Sequence, residues 1–92
     1  SSDLPGSFAL HQNYPNPFNP GTVISWQLAE ASDVELAVFN LLGEKIGTLV
    51  NRRQQAGTYT VEFNGVYLPS GLYFYKITAG KFSAVRKMIL VR

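Results

Sequence analysis

Apolar and polar residues alternate along short segments that are separated by turn residues at regular spacing. The clearest case is residues 58–64, where Tyr59, Val61 and Phe63 share one face against Thr58, Thr60 and Glu62. A period of two is typical of a strand with one buried face. Comparable segments cover 8–12, 22–28, 33–40, 45–50, 72–79 and 82–91. Short strands at this spacing, with no helical period between them, predict an all-β chain: an immunoglobulin-like antiparallel β-sandwich of about seven strands.

The length of the chain sets a limit of one domain. It has 92 residues, of which 46% are hydrophobic and 15% charged, so we expect a folded domain with one modest core. Residues 1–7 are predicted to be the end of a linker from an upstream cargo domain, and residues 8–92 to be the sandwich. A polar loop is expected over 51–57. No apolar run approaches the roughly 20 residues that a membrane-spanning helix needs, so the chain is predicted not to be transmembrane.

Residues that could carry catalysis are few and scattered. The chain has one histidine, His11, and no cysteine, so a zinc site cannot be completed. The six acidic residues form no local pair, and Glu35 and Glu62 fall on predicted outward faces. Ser70 lacks the pattern of a nucleophile elbow, and the glycines form no phosphate-binding loop. We therefore expect no enzymatic activity, no cofactor and no bound metal.

Residues 13–21 (NYPNPFNPG) break the strand pattern, because proline lacks the N–H that a ladder requires and asparagine favours turns. Side-chain oxygens of Asn13, Asn16 and Asn19 could in principle bind calcium. Calcium sites usually include carboxylates, and none lies between Asp3 and Glu30. We therefore predict that the asparagines cap turns and hold the proline-rich segment across one end of the sandwich.

Two surface features remain open to more than one interpretation. Alternation puts Tyr73 and Tyr75 on one face of a strand and Leu72 and Phe74 on the other, so one set is core and the other could form a docking patch. Residues 63–92 carry five cations and no acid. Such a basic end could contact nucleic acid, anionic lipid or an acidic receptor. Solvated edge strands explain it more simply, and we predict no nucleic-acid partner.

Several strings of residues resemble the type A C-terminal sorting domain of the type IX secretion system. They are QNYPNPFNP at 12–20, followed by Thr22-Val-Ile, FNLLG at 39–43, Ala56-Gly57 with Tyr59 and Val61, Ser70-Gly-Leu-Tyr73, Lys87-Met88 and Val91-Arg92. The resemblance runs over residues 8–92, with Gly21 as a small departure where the family more often has Ser or Ala. The turn positions of the family pattern are Asn13, Pro15, Asn16, Pro17, Asn19, Pro20, Gly43, Gly57 and Gly71.

The resemblance implies a delivery tag for a larger secreted protein of Bacteroidetes-type bacteria. In such a system the cargo enters the periplasm with an ordinary signal peptide. An outer-membrane translocon then reads the folded tag, and a sortase-like protease removes the tag from many relatives as the cargo reaches the cell surface or extracellular space. The linker at 1–7 would hold any cleavage point. The machinery is expected to read the last strand: Lys87, Met88, Ile89, Leu90, Val91 and Arg92.

The same strand suggests a mode of recognition. We expect residues 82–91 to form a basic strand at an open sheet edge, to which a partner strand could be added. The domain itself is expected to be a monomer, with edge-strand association as the exception.

Two other functions fit a small β-sandwich. One is a carbohydrate-binding accessory module of a secreted glycan-degrading enzyme, with exposed aromatic side chains in a row. The other is a structural spacer or assembly domain, because the family is also similar to the immunoglobulin-like domain of the flagellar hook-capping protein.

Overall fold

The computed structural model describes residues 7–91, which form seven strands and, within that range, no helix. The strands are β1 (Ala9–Leu10), β2 (Gly21–Leu28), β3 (Ser32–Phe39), β4 (Lys45–Gln54), β5 (Gly57–Asn64), β6 (Gly71–Ala79) and β7 (Phe82–Leu90). The predicted linker lies outside the described residues except for Ser7, and Arg92 lies outside them as well.

The strands pair antiparallel in two sheets. One sheet has three strands in the order β1-β2-β5, and the other has four in the order β4-β3-β6-β7. This arrangement confirms the predicted all-β sandwich. Strand β6 is central and β7 lies at a sheet edge, as the sequence indicates.

The core lies between the sheets and follows the alternation of the strands. From β2 it takes Ile24, Trp26 and Leu28, and from β6 it takes Tyr73 and Tyr75 together with further residues. Full burial of each large apolar side chain contributes about 1.5–3 kcal/mol. The remaining core residues are Leu10, Phe18, Val34, Leu36, Ala37, Val38, Ile77, Ala79, Met88 and Leu90.

Two predicted strand ends, at 50 and at 12, differ from the observed ends by more than one residue, and each difference has a physical cause. Strand β4 continues to Gln54, although the polar residues from 51 onward suggest a loop. Its last side chain is buried, because Gln54 Oε1 accepts a hydrogen bond of 3.1 Å from Trp26 Nε1. Strand β1 is two residues long, although the sequence suggests a strand over 8–12, because the chain leaves its register with β2 after Leu10. Leu10 pairs with Trp26, whereas Tyr14 pairs with Val23, one residue out of step with that register.

A tyrosine fixes the corner before β6. The hydroxyl of Tyr73 donates a hydrogen bond of 2.6 Å to the carbonyl of Pro69, four residues upstream. This is the tyrosine corner known from immunoglobulin-like sandwiches, where it joins the start of the sixth strand to the preceding loop.

The turn between β3 and β4 is built around Asn40. Its Oδ1 accepts hydrogen bonds from the backbone N–H groups of Leu42 and Glu44, both at 2.9 Å. Gly43 has a φ of 83°, a left-handed conformation that glycine adopts without steric cost.

Candidate recognition site

The last strand presents alternate residues to solvent and to the core. Met88 and Leu90 are buried, whereas Lys87, Ile89 and Val91 point outward. Of the six residues predicted for recognition, the five that the structure describes therefore divide into two sets with different access, and Arg92 lies outside the described residues. A partner that binds the folded domain can touch the side chains of Lys87, Ile89 and Val91, but not those of Met88 and Leu90.

The proline-rich segment lies along the outer edge of this strand. Phe18 N–H donates to the carbonyl of Ile89, and its carbonyl accepts from Val91 N–H, both at 2.9 Å. Asn16 Oδ1 accepts from Ile89 N–H at 3.0 Å. Ile89 therefore has both its N–H and its carbonyl bonded to the proline-rich segment.

A further side chain extends this cover by two residues. Gln12 Nε2 donates to the carbonyl of Lys87 at 2.7 Å. Backbone groups in a strand alternate in direction, so the N–H and carbonyl groups of Lys87, Ile89 and Val91 all point to the outer edge of the sheet. Residues 12–18 thus occupy the edge of β7 from Lys87 to Val91, and we call this arrangement the latch.

The sequence suggests an open edge at this strand. The position at the sheet edge is correct, but the backbone of its last residues is already bonded to the latch. A partner strand could be added over Lys87–Val91 after displacing the latch, whereas the outward side chains can be read without displacing it.

Apolar packing anchors the latch. The Phe18 side chain is 1% exposed and packs edge-on against Phe63, with ring centroids 6.1 Å apart. A Cβ atom built on Gly65 would lie 3.1 Å from Leu90 Cδ2 and 3.5 Å from Phe18. The small size of Gly65 therefore allows the latch and the last strand to pack on the same loop.

A buried polar network holds the start of the proline-rich segment. Asn13 is 2% exposed, and its Nδ2 donates to Pro15 O at 3.1 Å and to Thr22 Oγ1 at 3.0 Å. Its Oδ1 accepts from Gln12 Nε2 at 2.6 Å, and Thr22 Oγ1 donates to Pro15 O at 2.9 Å. Asn13 is therefore engaged within the protein rather than directed toward a ligand.

The other asparagines of the motif lie nearer the surface. Asn16 bonds to β7, while Asn19 is exposed. The bonds before Pro15, Pro17 and Pro20 are all cis.

Two more residues tie the chain before the latch to the four-stranded sheet. Tyr75 Oη donates to the carbonyl of His11 at 2.7 Å, and Arg86 Nε donates to the carbonyl of Leu10 at 3.0 Å. Burial raises the pKa of Tyr75 above its ordinary value of 10.0, while a backbone hydrogen bond from Asn13 and the charge of Arg86 partly offset this.

The outer face of β6 and β7 is apolar with interspersed cations. Across the two strands, Leu72 pairs with Ile89, Phe74 with Lys87, and Lys76 with Val85. The ion pairs within residues 7–91 lie on β3 and β4, where Lys45 bonds Glu35 at 2.7 Å and Arg53 bonds Asp33 at 3.4 Å. In that range neither Lys76 nor Lys87 has a carboxylate partner, so this face is positively charged.

The remaining motif positions are separate from the latch. Gly43 lies in the turn before β4, Gly57 begins β5 and Gly71 begins β6. Each has a positive φ, so each marks a turn or strand end.

Side chains considered for other chemistry are not brought together. In the described part of the chain, no three His, Cys, Asp or Glu residues cluster as metal ligands would. Trp26, Tyr73 and Tyr75 are each at most 5% exposed, so they belong to the core and form no aromatic platform. Over residues 7–91, no helix has the length and apolar character that crossing a membrane would require.

Sequence reasoning missed Gln12, Phe18, Gly65 and Arg86 as parts of this site. Gln12 and Phe18 fall inside the QNYPNPFNP string, so the motif marks their neighbourhood. Their partners lie more than 70 residues further along the chain, and no local pattern indicates such a contact.

Comparison with known proteins identifies the family. Residues 12–91 match the secretion system C-terminal sorting domain. The chain belongs to this family. The match begins with the latch and ends with the last strand, and it confirms the resemblance inferred from the sequence. The sorting domain directs the secretion of the protein to which it is attached.

The fold is also that of a domain in a solved structure. The chain superposes on part of PorZ from Porphyromonas gingivalis with a TM-score of 0.63 and 18% sequence identity. PorZ is described as an essential surface component of the type IX secretion system. The superposition covers 91% of this chain and 12% of PorZ, so it shows a shared sandwich fold. A search of curated proteins found no match.

Proposed function

We propose that the folded sorting domain is recognised through the outward side chains of β7. The observation that carries the proposal is the latch, which covers the strand edge and leaves the side chains of Lys87, Ile89 and Val91 as the accessible parts of residues 87–91. The reader of this surface would be a component of the outer-membrane translocon. Its contact surface should be apolar with acidic residues, to match the apolar and cationic face of β6 and β7.

In this proposal the latch keeps the terminal strand in one shape. The last residues of a domain are poorly ordered unless they are tied down. Here Phe18 and Asn16 tie down Ile89 and Val91 from outside, while Met88 and Leu90 are held by the core. The translocon would therefore meet a preformed surface, which lowers the entropic cost of binding.

The proposed route passes through the periplasm to the cell surface or the extracellular space. The cargo would precede residue 8, with the linker at 1–7 as the place for a sortase-like cleavage. The domain itself would carry no enzymatic activity and would act as a monomer. A binding role for glycans gains no support, because Trp26, Tyr73 and Tyr75 are buried.

The test fuses residues 1–92 to a periplasmic reporter in a host with a working type IX system. The intact fusion should reach the cell surface, and a fusion that lacks residues 87–92 should stay in the periplasm. Surface delivery that is unchanged by the deletion would contradict the role of the last strand. Because the deletion also removes the buried Met88 and Leu90, its folding is checked by resistance of the purified domain to protease.

A further inference from the structure

Strand β5 has an open backbone edge, as the hydrogen bonds of β2 show. The N–H and the carbonyl of Val23 both bond to Tyr14, at 3.0 Å or less. Directions alternate along a strand, so the even-numbered residues of β2 face β5. Their partners in β5 are Tyr59, Val61 and Phe63. The backbone groups of Thr58, Thr60 and Glu62 therefore point away from β2, and within residues 7–91 β5 pairs with no second strand.

The other sheet edges are protected. Strand β1 is two residues long, and the latch covers the end of β7. The pairing of β4 with β3 has two register shifts, and β4 carries Lys45, Arg52 and Arg53. Short length, bulges and cations are the features by which proteins prevent unwanted strand pairing.

Strand β5 has none of these protections. Its eight residues pair with β2 in unbroken register and include no proline, lysine or arginine. An edge of this kind is suited to accept an added strand.

The space beside β5 has the position of a missing strand. The three-stranded sheet ends at β5, and the opposite sheet, which has one strand more, ends at β4. Between them lies a groove of about 250 Å³, lined by Trp26, Leu49, Val50, Asn51, Arg52, Gln54, Tyr59, Thr60 and Val61. Leu49, Val50, Tyr59 and Val61 pack against the core but are only partly buried. A strand added to β5 would cover β4 at the usual sheet separation of about 10 Å and complete their burial.

The charge in the groove specifies the added strand further. Arg52 pairs with the inward-facing Val34 in the β3–β4 register, so its side chain is directed to the groove side of the sheet. The ion pairs in the described chain join Lys45 to Glu35 and Arg53 to Asp33, and none of them includes Arg52. Arg52 could therefore pair with a carboxylate of the added strand.

We propose that the β5 edge binds an extended segment of a partner protein by strand addition. The segment would have apolar residues at every second position, facing the groove, and a carboxylate opposite Arg52. A second copy of this domain does not fit. Symmetric β5–β5 pairing would place both four-stranded sheets on the same side of the joined sheet, so that the two β4 strands would compete for the space beside the junction. A single extended segment avoids that clash.

The proposal does not depend on recognition of β7, because the two surfaces use different strands. The probe is an eight-residue peptide with valine at alternate positions, threonine between them, and glutamate in place of one valine. It is titrated into the isotope-labelled domain, residues 1–92, and the backbone amide signals are followed by NMR. We expect saturable shifts at Thr58, Thr60 and Glu62 and no comparable shifts in β7.

Two controls test the mode of binding. A peptide N-methylated along the edge that faces β5 should not bind, since it cannot form the ladder, and this control leaves the protein unchanged. A peptide with lysine in place of glutamate should bind roughly tenfold more weakly. Thr60→Pro should also abolish binding, because it removes an N–H that would bond to the added strand. The variant should still fold, since proline is tolerated on an edge strand where the N–H faces solvent.

Three results would overturn the proposal. They are no saturable binding at about 1 mM peptide, equal binding of the N-methylated peptide, or shifts confined to strands other than β5.

Discussion

Phe18 pairs with Leu90 as a parallel bridge between the proline-rich segment and the last strand. Both side chains are 1% exposed, so the bridge joins two parts of the core and not two surface loops. The proline-rich segment near the beginning of the domain and the strand at its end therefore form one structural unit. The stability of the terminal strand should depend on residues that are more than 70 positions earlier.

Truncation of Phe18 should weaken that unit strongly. Phe18→Ala removes a buried aromatic ring and should lower the free energy of unfolding by about 3–5 kcal/mol, as measured by chemical denaturation. Tyr14→Ala is the control, because that side chain is 81% exposed and its loss should change stability by less than about 0.5 kcal/mol. Equal effects of the two substitutions would show that Phe18 does not anchor the latch.

Loss of the Asn16 side chain should have a small and local effect. Asn16→Ala removes the acceptor for Ile89 N–H and should cost about 0.5–1.5 kcal/mol. Amide hydrogen exchange should accelerate at Ile89 more than at Leu90, whose backbone groups face β6. The exposed Asn19 provides the matched control, and an equal acceleration in Asn19→Ala would contradict the assignment.

The contact of Gly65 with the latch predicts a cost for any larger residue. In Gly65→Ala the new methyl group would lie 3.1 Å from Leu90 Cδ2, so Leu90 or Phe18 must shift, and we expect a loss of about 1–3 kcal/mol. Gly47→Ala is a fair comparison, because a Cβ there meets nothing within 4 Å. If Gly65→Ala unfolds at the same denaturant concentration as Gly47→Ala, the packing described for Gly65 is wrong.

The raised pKa of Tyr75 predicts a loss of stability at high pH. The folded protein retains this proton more tightly than the unfolded chain, so the stabilisation is complete below about pH 10 and is lost as the pH rises through the folded pKa. Tyr75→Phe should be less stable by about 0.5–1.5 kcal/mol at neutral pH, because the bond to His11 is lost.

The difference in the free energy of unfolding between wild type and Tyr75→Phe should then shrink above pH 10. Denaturation curves at pH 7, 9 and 11 test this, with Tyr67→Phe as the control at a side chain that is 95% exposed. A difference that stays constant over this range would show that Tyr75 does not titrate differently in the folded state.

Much of the fold follows from local sequence pattern. Alternation along β2 and β5 identifies both the strands and their buried faces, since one face must be apolar. Along β6 it identifies the strand but not which face is buried, because both faces carry large apolar side chains. It could not predict that β4 extends to Gln54, because the residue is polar and its burial depends on Trp26 from the other sheet.

The candidate site is less accessible to such reasoning. The sequence indicates that both the proline-rich segment and the last strand matter, but not that they touch. The bonds that join Gln12, Asn16 and Phe18 to β7 depend on chain packing over the whole domain. Their geometry changes the expected mode of recognition from the strand edge to the outward side chains.

The most direct test of the account changes those side chains without disturbing the core. The double substitution Lys87→Glu and Ile89→Asp alters two outward residues, and Met88→Leu serves as a volume-conserving change at the buried position between them. Both variants, fused to the periplasmic reporter, are compared with wild type for surface delivery, and their unfolding midpoints are measured in parallel. We predict that the outward variant remains folded and loses surface delivery, while Met88→Leu is delivered normally. Normal delivery of the folded outward variant would contradict the claim that the secretion machinery reads this side of the terminal strand.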